Sequence, residues 1–154
     1  MTTDLVLDTS VFVKGFVPPK RKKRDEVYYS RLALHRKAKS ILDEVAMGRI
    51  LLHEPVVMLV ETASVVSRLS SNPALSRLAV SFITEHSLLY SDVYLLETAI
   101  DLGIITKASG FDVLFLACAK RADAKLITDD RKMYEKAVKA GIKAELLRET
   151  TSSP

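Results

Sequence analysis

The stretch that decides the fold is "LVLDTSVFVKG", residues 5–15. Its apolar start stops at three polar side chains, Asp8, Thr9 and Ser10. The apolar residues predict a buried strand over residues 4–8, because a strand covered on both faces reads as a continuous hydrophobic run. Taken alone, Asp8 favours a turn or a cap, since aspartate accepts hydrogen bonds from nearby backbone N–H groups. The alternative is that the strand delivers a carboxylate to a metal ion.

Four more apolar runs predict strands, and helix-period segments lie between them. The predicted strands cover residues 49–53, 87–90, 125–128 and 143–147. The predicted helices cover residues 27–47, 55–70, 73–86, 109–122 and 131–140, with another capped by Ser91. This alternation predicts a three-layer α/β/α fold whose central sheet is parallel and has about five strands. We expect one domain over residues 1–148, with a basic insert at about 18–37 and a flexible tail at 149–154.

Composition limits the class of protein. The 154 residues are 48% hydrophobic and 27% charged, which is typical of one soluble globular domain. No segment approaches the roughly 20 apolar residues of a membrane-spanning helix. The single cysteine, Cys118, excludes an internal disulfide and favours a reducing, cytoplasmic location.

The charge is unevenly distributed. The net charge is only +4, but one unbroken basic run comprises Lys20, Arg21, Lys22, Lys23 and Arg24. Such a run attracts polyanions such as nucleic acid. The alternative is a solvated loop, which is the commoner explanation of an isolated charge run.

Glu61 is the acid that is hardest to explain as a surface residue. At helical spacing, its neighbours in "EPVVMLVETASVVSRL" include Val57, Met58 and Val65, so it lies on the apolar side of its helix. A carboxylate there must be paired or bind a metal, because its desolvation is costly. The structural alternative is an ion pair with Arg68.

Three more acids have structural explanations that compete with a functional one. Asp112 could form a capping-box-like pair with Ser109. Asp129 and Asp130 follow the strand "KLIT", and one of them could cap the next helix. The sequence alone leaves each of these alternatives open.

The acids nevertheless share an expected location. In a parallel sheet, the carboxyl ends of the strands meet at one edge, and ligands bind there where the strand order switches. Carboxylates that converge on one point repel each other unless cations neutralise them. Oxygen ligands suit Mg²⁺ or Mn²⁺, whereas His35, His53 and His86 lack the spacing of a zinc site. Such ions can activate a water for phosphodiester hydrolysis, and the number of ions, one or two, stays open.

The motifs resemble those of the PIN-domain ribonucleases, most of all the VapC-type toxins of toxin–antitoxin systems. "VLDTSVFVKGFVP" is similar to the first motif of the family, and "EPVVMLVETASVVSRL" to the second. "GFDVLFLACAKRADAKLITDDRKMYEKA" resembles the third and fourth motifs run together. The match covers roughly residues 4–147, and its specificity lies in the order Asp, Glu, Asp and then Thr-x-Asp.

The resemblance implies a PIN-like fold, Mg²⁺- or Mn²⁺-dependent endonucleolytic cleavage of RNA, a homodimer and a VapB-type antitoxin partner. It assigns the catalytic and metal-binding roles to Asp8, Glu61, Asp112 and Asp130. It places Ser10, Thr128 and Asp129 beside these acids, as groups that orient the ligands or the water.

The insert at about 18–37 departs from the resemblance because it is longer and more basic than the family usually has there. Lys14 and the basic run, residues 20–24, are candidate RNA contacts, and Tyr28 and Tyr29 offer stacking surfaces.

Three alternative functions remain. The first is a PIN-family nuclease that processes RNA outside a toxin–antitoxin pair. The second is a non-catalytic PIN module that binds RNA or protein, which the complete set of acids disfavours. The third is a phosphoacceptor domain of the receiver type, disfavoured because Asp8 is not one of a pair of acids and Glu61 would have no role.

Overall fold

The computed structural model describes residues 2–108 and 110–151. In this part of the chain, five strands form one parallel sheet in the order β3-β2-β1-β4-β5. The strands are β1 (Thr3–Leu7), β2 (Ile50–Pro55), β3 (Ser87–Tyr90), β4 (Lys125–Thr128) and β5 (Ala144–Leu146). The predicted α/β class with a five-stranded parallel sheet is therefore confirmed.

Seven α-helices in the described residues connect and cover the strands. They are α1 (Thr9–Phe16), α2 (Glu26–Ala46), α3 (Val57–Ser70), α4 (Pro73–His86), α5 (Asp92–Thr106), α6 (Asp112–Ala122) and α7 (Arg131–Lys139). A short 3-10 helix, Leu147–Glu149, follows β5. The expected cap of α5 is present, since the Ser91 side chain accepts a hydrogen bond from the Tyr94 N–H.

Helix α1 is the main element that we did not predict. Its sequence, TSVFVKGF, is rich in β-branched residues and aromatics, and a helix of eight residues is unstable alone. The fold stabilises it in two ways. Asp8 caps its first turn, and Val11, Phe12 and Val13 are buried in the core.

Gly15 allows α1 and α2 to pack closely. A Cβ atom on Gly15 would lie 2.8 Å from the carbonyl carbon of Ala38 and 2.9 Å from Cδ1 of Leu42. These distances are shorter than side-chain contacts permit, so only glycine fits here. The position of α1 against α2 therefore depends on this residue.

The expected helix start at Pro55 is wrong. Pro55 is the last residue of β2, where it pairs with Tyr90 of β3, and α3 begins at Val57. At the end of a strand, the missing N–H of proline removes only the last hydrogen bond between the strands. This extension of β2 also makes Glu54 a strand residue.

The strand order changes direction between β1 and β4. From β1 the chain builds outward to β2 and β3 on one side, and later to β4 and β5 on the other. The carboxyl ends of β1 and β4 thus form the switch point where ligands bind in open α/β sheets. Asp8 follows β1 there, and Asp129 follows β4.

The end of the described chain is packed at least as far as Thr150. This residue is buried, and its N–H and hydroxyl both donate to the Leu147 carbonyl oxygen. Residues 152–154 of the expected flexible tail lie outside the described residues. None of the described helices is long and apolar enough to cross a membrane.

Candidate active site

Four acids that the sequence singled out line one pocket of about 300 Å³ at the switch point. They are Asp8, Glu61, Asp112 and Asp130. They come from four segments of the chain: the end of β1, the second turn of α3, the start of α6 and the turn between β4 and α7. The expected convergence of these side chains is therefore present in the fold.

Asp8 is buried, and both of its carboxylate oxygens are held. Oδ1 accepts hydrogen bonds from the Ser10 N–H at 2.6 Å and from the Ser10 hydroxyl at 2.7 Å. Oδ2 accepts from the Thr128 hydroxyl of β4 at 2.6 Å. Asp8 thus caps α1, as its structural explanation required, and also lines the pocket.

Glu61 is half-buried and lines the same pocket as Asp8. Its Oε1 accepts a hydrogen bond from the Thr9 hydroxyl at 2.9 Å. Burial raises the pKa of the carboxyl, the Thr9 hydrogen bond opposes that effect, and the charges of Asp112 and Asp8 add to it. The alternative ion pair with Arg68 is absent from the described structure.

Asp112 is the first residue of α6. The capping-box prediction would instead have placed it three residues after the N-cap. The residue at the N-cap is Phe111, and Ser109 lies outside the described residues. Partial burial raises the pKa of the Asp112 carboxyl, as do the negative charges of Asp8 and Asp130. Lys136 opposes this shift. The pocket therefore concentrates negative charge.

The adjacent acids Asp129 and Asp130 do different things. Asp130 lines the pocket, and its Oδ1 caps α7 by accepting from the N–H groups of Lys132 and Met133. Asp129 does not line it. Its carboxylate binds Lys14 at 3.0 Å and Arg148 at 3.1 Å, which ties α1 and the 3-10 helix to the end of β4. Of the two, Asp130 is thus the one that shares a pocket with the other acids.

Thr128 connects Asp8 to Asp130. Its hydroxyl donates to Asp8 and accepts a hydrogen bond from the Asp130 N–H at 3.1 Å. Thr128 is fully buried, so these bonds are shielded from water. Ser10 and Thr128 thus both hold Asp8, whereas Asp129 contacts none of the pocket acids among the described residues.

The ligand atoms around the pocket are oxygens. No histidine or cysteine is among its lining residues in the described chain. As the side chains stand, no three acidic, histidine or cysteine residues of the described parts are grouped closely enough to hold an ion together.

The basic residues that we expected to contact RNA form two groups, those with a partner inside the described chain and those without one. Lys14 binds Asp129, Arg21 pairs with Asp25, and the Arg24 guanidinium lies 5.0 Å from the centre of the Tyr28 ring. Within residues 2–108 and 110–151, no partner is found for the side chains of Lys20, Lys22 and Lys23.

Two residues of the site were missed by the sequence analysis. Thr9 orients Glu61, and its place directly after Asp8 was the only signal. Glu54 is a fully buried acid in β2 whose Oε1 accepts from the Leu7 N–H at 2.8 Å, while Oε2 has no partner among the described residues. Burial, and then the charge of Asp8, raise its pKa well above the ordinary value. An acid inside the apolar run "ILLHEP" was the available signal.

Comparison with known proteins agrees with this architecture. The sequence model of one family, described as "PIN domain", matches residues 5–139. Three solved structures are similar over nearly the whole chain. VapBC2 from Rickettsia felis, bound to a DNA fragment from its promoter, has 15% identity and a TM-score of 0.56, covering 94% of this chain and 98% of that one. FitAcB from Neisseria gonorrhoeae has 13% identity and a TM-score of 0.62, and the match covers 95% of this chain and 99% of that one.

The third structure is FitAB bound to the IR36 DNA fragment, with 13% identity, a TM-score of 0.63, and 96% and 97% covered. At these identities the similarity establishes the fold. No curated protein matches the chain.

Proposed function

Since the chain belongs to the PIN-domain family, we propose that it is a metal-dependent endoribonuclease that hydrolyses RNA phosphodiester bonds in the cytoplasm. The observation that carries the proposal is the gathering of four acids in one pocket at the switch point of the sheet. The proposed catalytic and metal-binding residues are Asp8, Glu61, Asp112 and Asp130.

The donor chemistry of the pocket fits Mg²⁺ or Mn²⁺. Carboxylate oxygens are the ligands these hard cations prefer. Burial, and in second place the charges of neighbouring acids, raise the pKa values of Glu61 and Asp112, and a bound cation would favour their ionised forms. Because no three acids of the described residues are grouped around one point, binding of an ion requires side-chain movements. When bound, such an ion supplies an activated water and stabilises developing negative charge.

The chain itself prepares the acids for this work. Ser10 and Thr128 hold both oxygens of Asp8, and Thr9 holds one oxygen of Glu61. These hydrogen bonds limit the directions that the two carboxylates can take. Preorganisation of this kind lowers the cost of binding an ion and of aligning the scissile phosphate.

Cleavage of single-stranded RNA by the wild-type protein and by Asp8→Asn tests the proposal. We expect cleavage that requires Mg²⁺ or Mn²⁺, stops with EDTA and falls at least about 100-fold in the variant. Asparagine keeps an acceptor for Ser10, so circular dichroism should show an intact fold. Binding of Mn²⁺, measured by calorimetry, should weaken in the same variant. Equal cleavage by both proteins would overturn the assignment of the site.

We further propose that the protein is the toxin of a VapBC-type pair. Similarity to VapBC2 and to FitAcB supports this role, and a VapB-type antitoxin would then be its partner. Induction of the wild-type protein should arrest growth of a bacterial host, and co-expression of the small protein encoded beside it should restore growth. RNA cleavage in vitro without growth arrest would favour an RNA-processing nuclease outside such a pair. Metal-independent RNA binding without cleavage would favour a non-catalytic module.

An exposed apolar stripe on α5 supports a homodimer. Val93, Leu96, Ile100 and Ile104 follow helical spacing, and Val93 and Ile104 are 84% and 74% exposed. Such a stripe can pack against its own copy across a two-fold axis, and surfaces of this kind usually mark an interface. Light scattering should give a dimer for the wild-type protein and a monomer for Ile104→Glu. A monomeric wild-type protein would contradict this part of the proposal.

A further inference from the structure

A second pocket, of about 380 Å³, is lined by residues of the later part of α1, whose first residues line the acid pocket. We call it the α1–α2 pocket because Val13, Val17, Arg31 and His35 of these helices and their junction line it. Its volume lies in the range of small-molecule sites. None of the acids of the candidate active site contributes to its lining in the described chain.

One wall of the α1–α2 pocket is apolar and rigid. Val17 ends α1, and Pro18 and Pro19 follow it directly. The proline rings have fixed φ angles, so this wall loses little conformational entropy when a ligand binds. An apolar wall of this kind suits the face of a planar ring.

The other wall carries positive charge. Arg31 is exposed on α2 and makes no hydrogen bond or ion pair with the residues that the structure describes. Its guanidinium is therefore available to cover a ring or to bind a phosphate. Lys20 at the rim is likewise exposed.

His35 adds a directional polar group. Its Nδ1 lies 2.6 Å from the Lys14 carbonyl oxygen, which can only accept, so Nδ1 carries the proton. In the neutral ring, Nε2 is then a hydrogen-bond acceptor. The pocket thus combines an apolar wall, a cation and an acceptor.

The two pockets share α1. Thr9 and Ser10 at its start line the acid pocket, and Val13, Lys14 and Val17 near its end line the α1–α2 pocket. Ser10 and Lys14 are about one helical turn, or ~5.4 Å, apart along the axis. A polynucleotide whose phosphate lies at the acids can therefore reach the α1–α2 pocket with a neighbouring nucleotide.

We propose that the α1–α2 pocket binds one nucleobase of the RNA, next to the bond that is cleaved. The base lies between the Pro18–Pro19 wall and the Arg31 guanidinium, and its edge faces His35. The inference rests on the proposed ribonuclease function and adds the site that selects the flanking nucleotide. An acidic peptide fits less well, because the pocket is made of helices and prolines and offers no strand edge along which an extended peptide could pair.

Abasic scanning tests the proposal. Single-stranded RNA oligonucleotides with one abasic nucleotide, moved through the positions around the cut, are compared with the intact oligonucleotide. We expect one position, within two nucleotides of the cut, at which loss of the base lowers kcat/KM about tenfold. In Arg31→Ala this penalty should shrink to less than about threefold, because the stacking partner is gone. The exposed Leu69, which also lines the pocket, provides Leu69→Glu as a second variant with the same expected result.

Arg49→Ala is the matched control, since Arg49 lies at the opposite edge of the sheet, just before β2. It should keep the full abasic penalty. If Arg31 only binds phosphate, Arg31→Ala will weaken cleavage of intact and abasic RNA equally, and the proposal is wrong. The absence of a penalty at every position would also overturn it.

Binding measurements separate this proposal from the function on which it rests. Fluorescence anisotropy in EDTA reports binding of intact and abasic RNA without cleavage. Base-dependent binding in EDTA, together with no cleavage when Mg²⁺ or Mn²⁺ is supplied, would retain the pocket and refute the nuclease. Cleavage without base dependence would retain the nuclease and refute the pocket. Displacement of the RNA by poly-glutamate, with no difference between intact and abasic RNA, would identify a general acidic-polymer surface and refute the base site.

Discussion

The two ends of α1 face surfaces of opposite charge. At its start, Asp8, Glu61, Asp112 and Asp130 line a pocket in which burial, and then the neighbouring negative charges, raise the pKa values of Glu61 and Asp112. At its end, Lys14, Lys20 and Arg31 surround a pocket with an apolar wall. Only about two turns of helix separate them.

The two surfaces also differ in how firmly they are held. Hydrogen bonds from Ser10, Thr9 and Thr128 orient acids of the first pocket. Around the second, the fold restrains Lys14 through Asp129, whereas Arg31 is exposed and has no partner in the described chain. This difference suggests that the acidic end of α1 needs a defined geometry, which is what catalysis requires. The basic end of α1 needs mainly positive charge and an accessible apolar surface, which is what RNA binding requires.

The strongest test of this contrast uses the two neighbouring acids of the β4–α7 turn. Asp130→Asn should lower RNA cleavage at least about 100-fold, because it removes a charge from the acid pocket while the amide oxygen can still cap α7. Asp129→Asn should lower it less than about tenfold, because its partners are Lys14 and Arg148. Initial rates at saturating Mn²⁺ measure both. Equal losses would show that the two acids do not have separate roles.

The position of α1 itself can be disturbed at Gly15. Gly15→Ala should destabilise the protein by about 1–3 kcal/mol, because the new methyl group overlaps the α2 backbone. Urea denaturation measures the change. Gly103→Ala in α5 is the matched control, since among the described residues its Cβ would meet only Val113 Cγ2 at 3.9 Å. It should stabilise the protein by about 0.5–1 kcal/mol, and similar losses in both variants would refute the close-packing argument.

The buried Glu54 of β2 provides a test of the hydrogen bond that it accepts from the Leu7 N–H. Removing its acceptor in Glu54→Leu should cost about 1–3 kcal/mol, because the buried Leu7 N–H loses its partner. Glu54→Gln keeps an acceptor and removes the ionisable group. It should therefore cost less.

The pH dependence of stability follows from the raised pKa of Glu54. Below the ordinary pKa of 4.5, the folded and unfolded states are both protonated at this group. Above that pH, the unfolded state releases the proton and the folded state keeps it, so the free energy of unfolding falls as pH rises. Relative to Glu54→Gln, the wild-type protein should lose stability from pH 4.5 upward in denaturant titrations. A difference that is constant with pH would mean that Glu54 is not protonated in the fold.

The smallest expected effect concerns the loop lysines. Replacing Lys22 and Lys23 by alanine should weaken RNA binding and flatten its salt dependence by about 0.7 in slope for each lysine that contacts a phosphate. Lys125 and Lys143, at the amino ends of β4 and β5, provide a control pair of equal charge. Fluorescence anisotropy between low and high salt measures the slopes. Unchanged slopes in the loop variant would make the basic run a solvated surface only.

The strand pattern was predictable because buried parallel strands have a local signature. The strands Ser87–Tyr90 and Lys125–Thr128 lie where their apolar runs predicted them. Helix α1 was not predictable in this way, because its stability comes from the Asp8 cap and from packing of Gly15 against α2. The end of β2 was misassigned since Pro55 suits a first helical turn as well as a strand end.

The expected convergence of the acids was inferred from their positions at strand and helix ends, and the choice of Asp130 as the fourth acid came from the resemblance to the PIN-domain motifs. The separate partners of the acids were not predicted. Asp129 and Asp130 are adjacent and chemically identical, yet one binds Lys14 and Arg148 and the other lines the pocket. A residue 115 positions away decides the difference, and no local pattern encodes such a contact.

The amino-acid sequence by itself determined the parallel α/β class, because hydrophobic periodicity and the alternation of strands with helices are visible in local segments. Together with the resemblance to the family motifs, it also indicated the four acids expected at one edge of the sheet. Only the tertiary structure decided that α1 exists, that Glu54 is fully buried, and that an acidic and a basic pocket lie at opposite ends of one short helix. The physical reason is that these features depend on long-range packing and on hydrogen bonds such as Thr128 to Asp8, which join segments far apart in the chain.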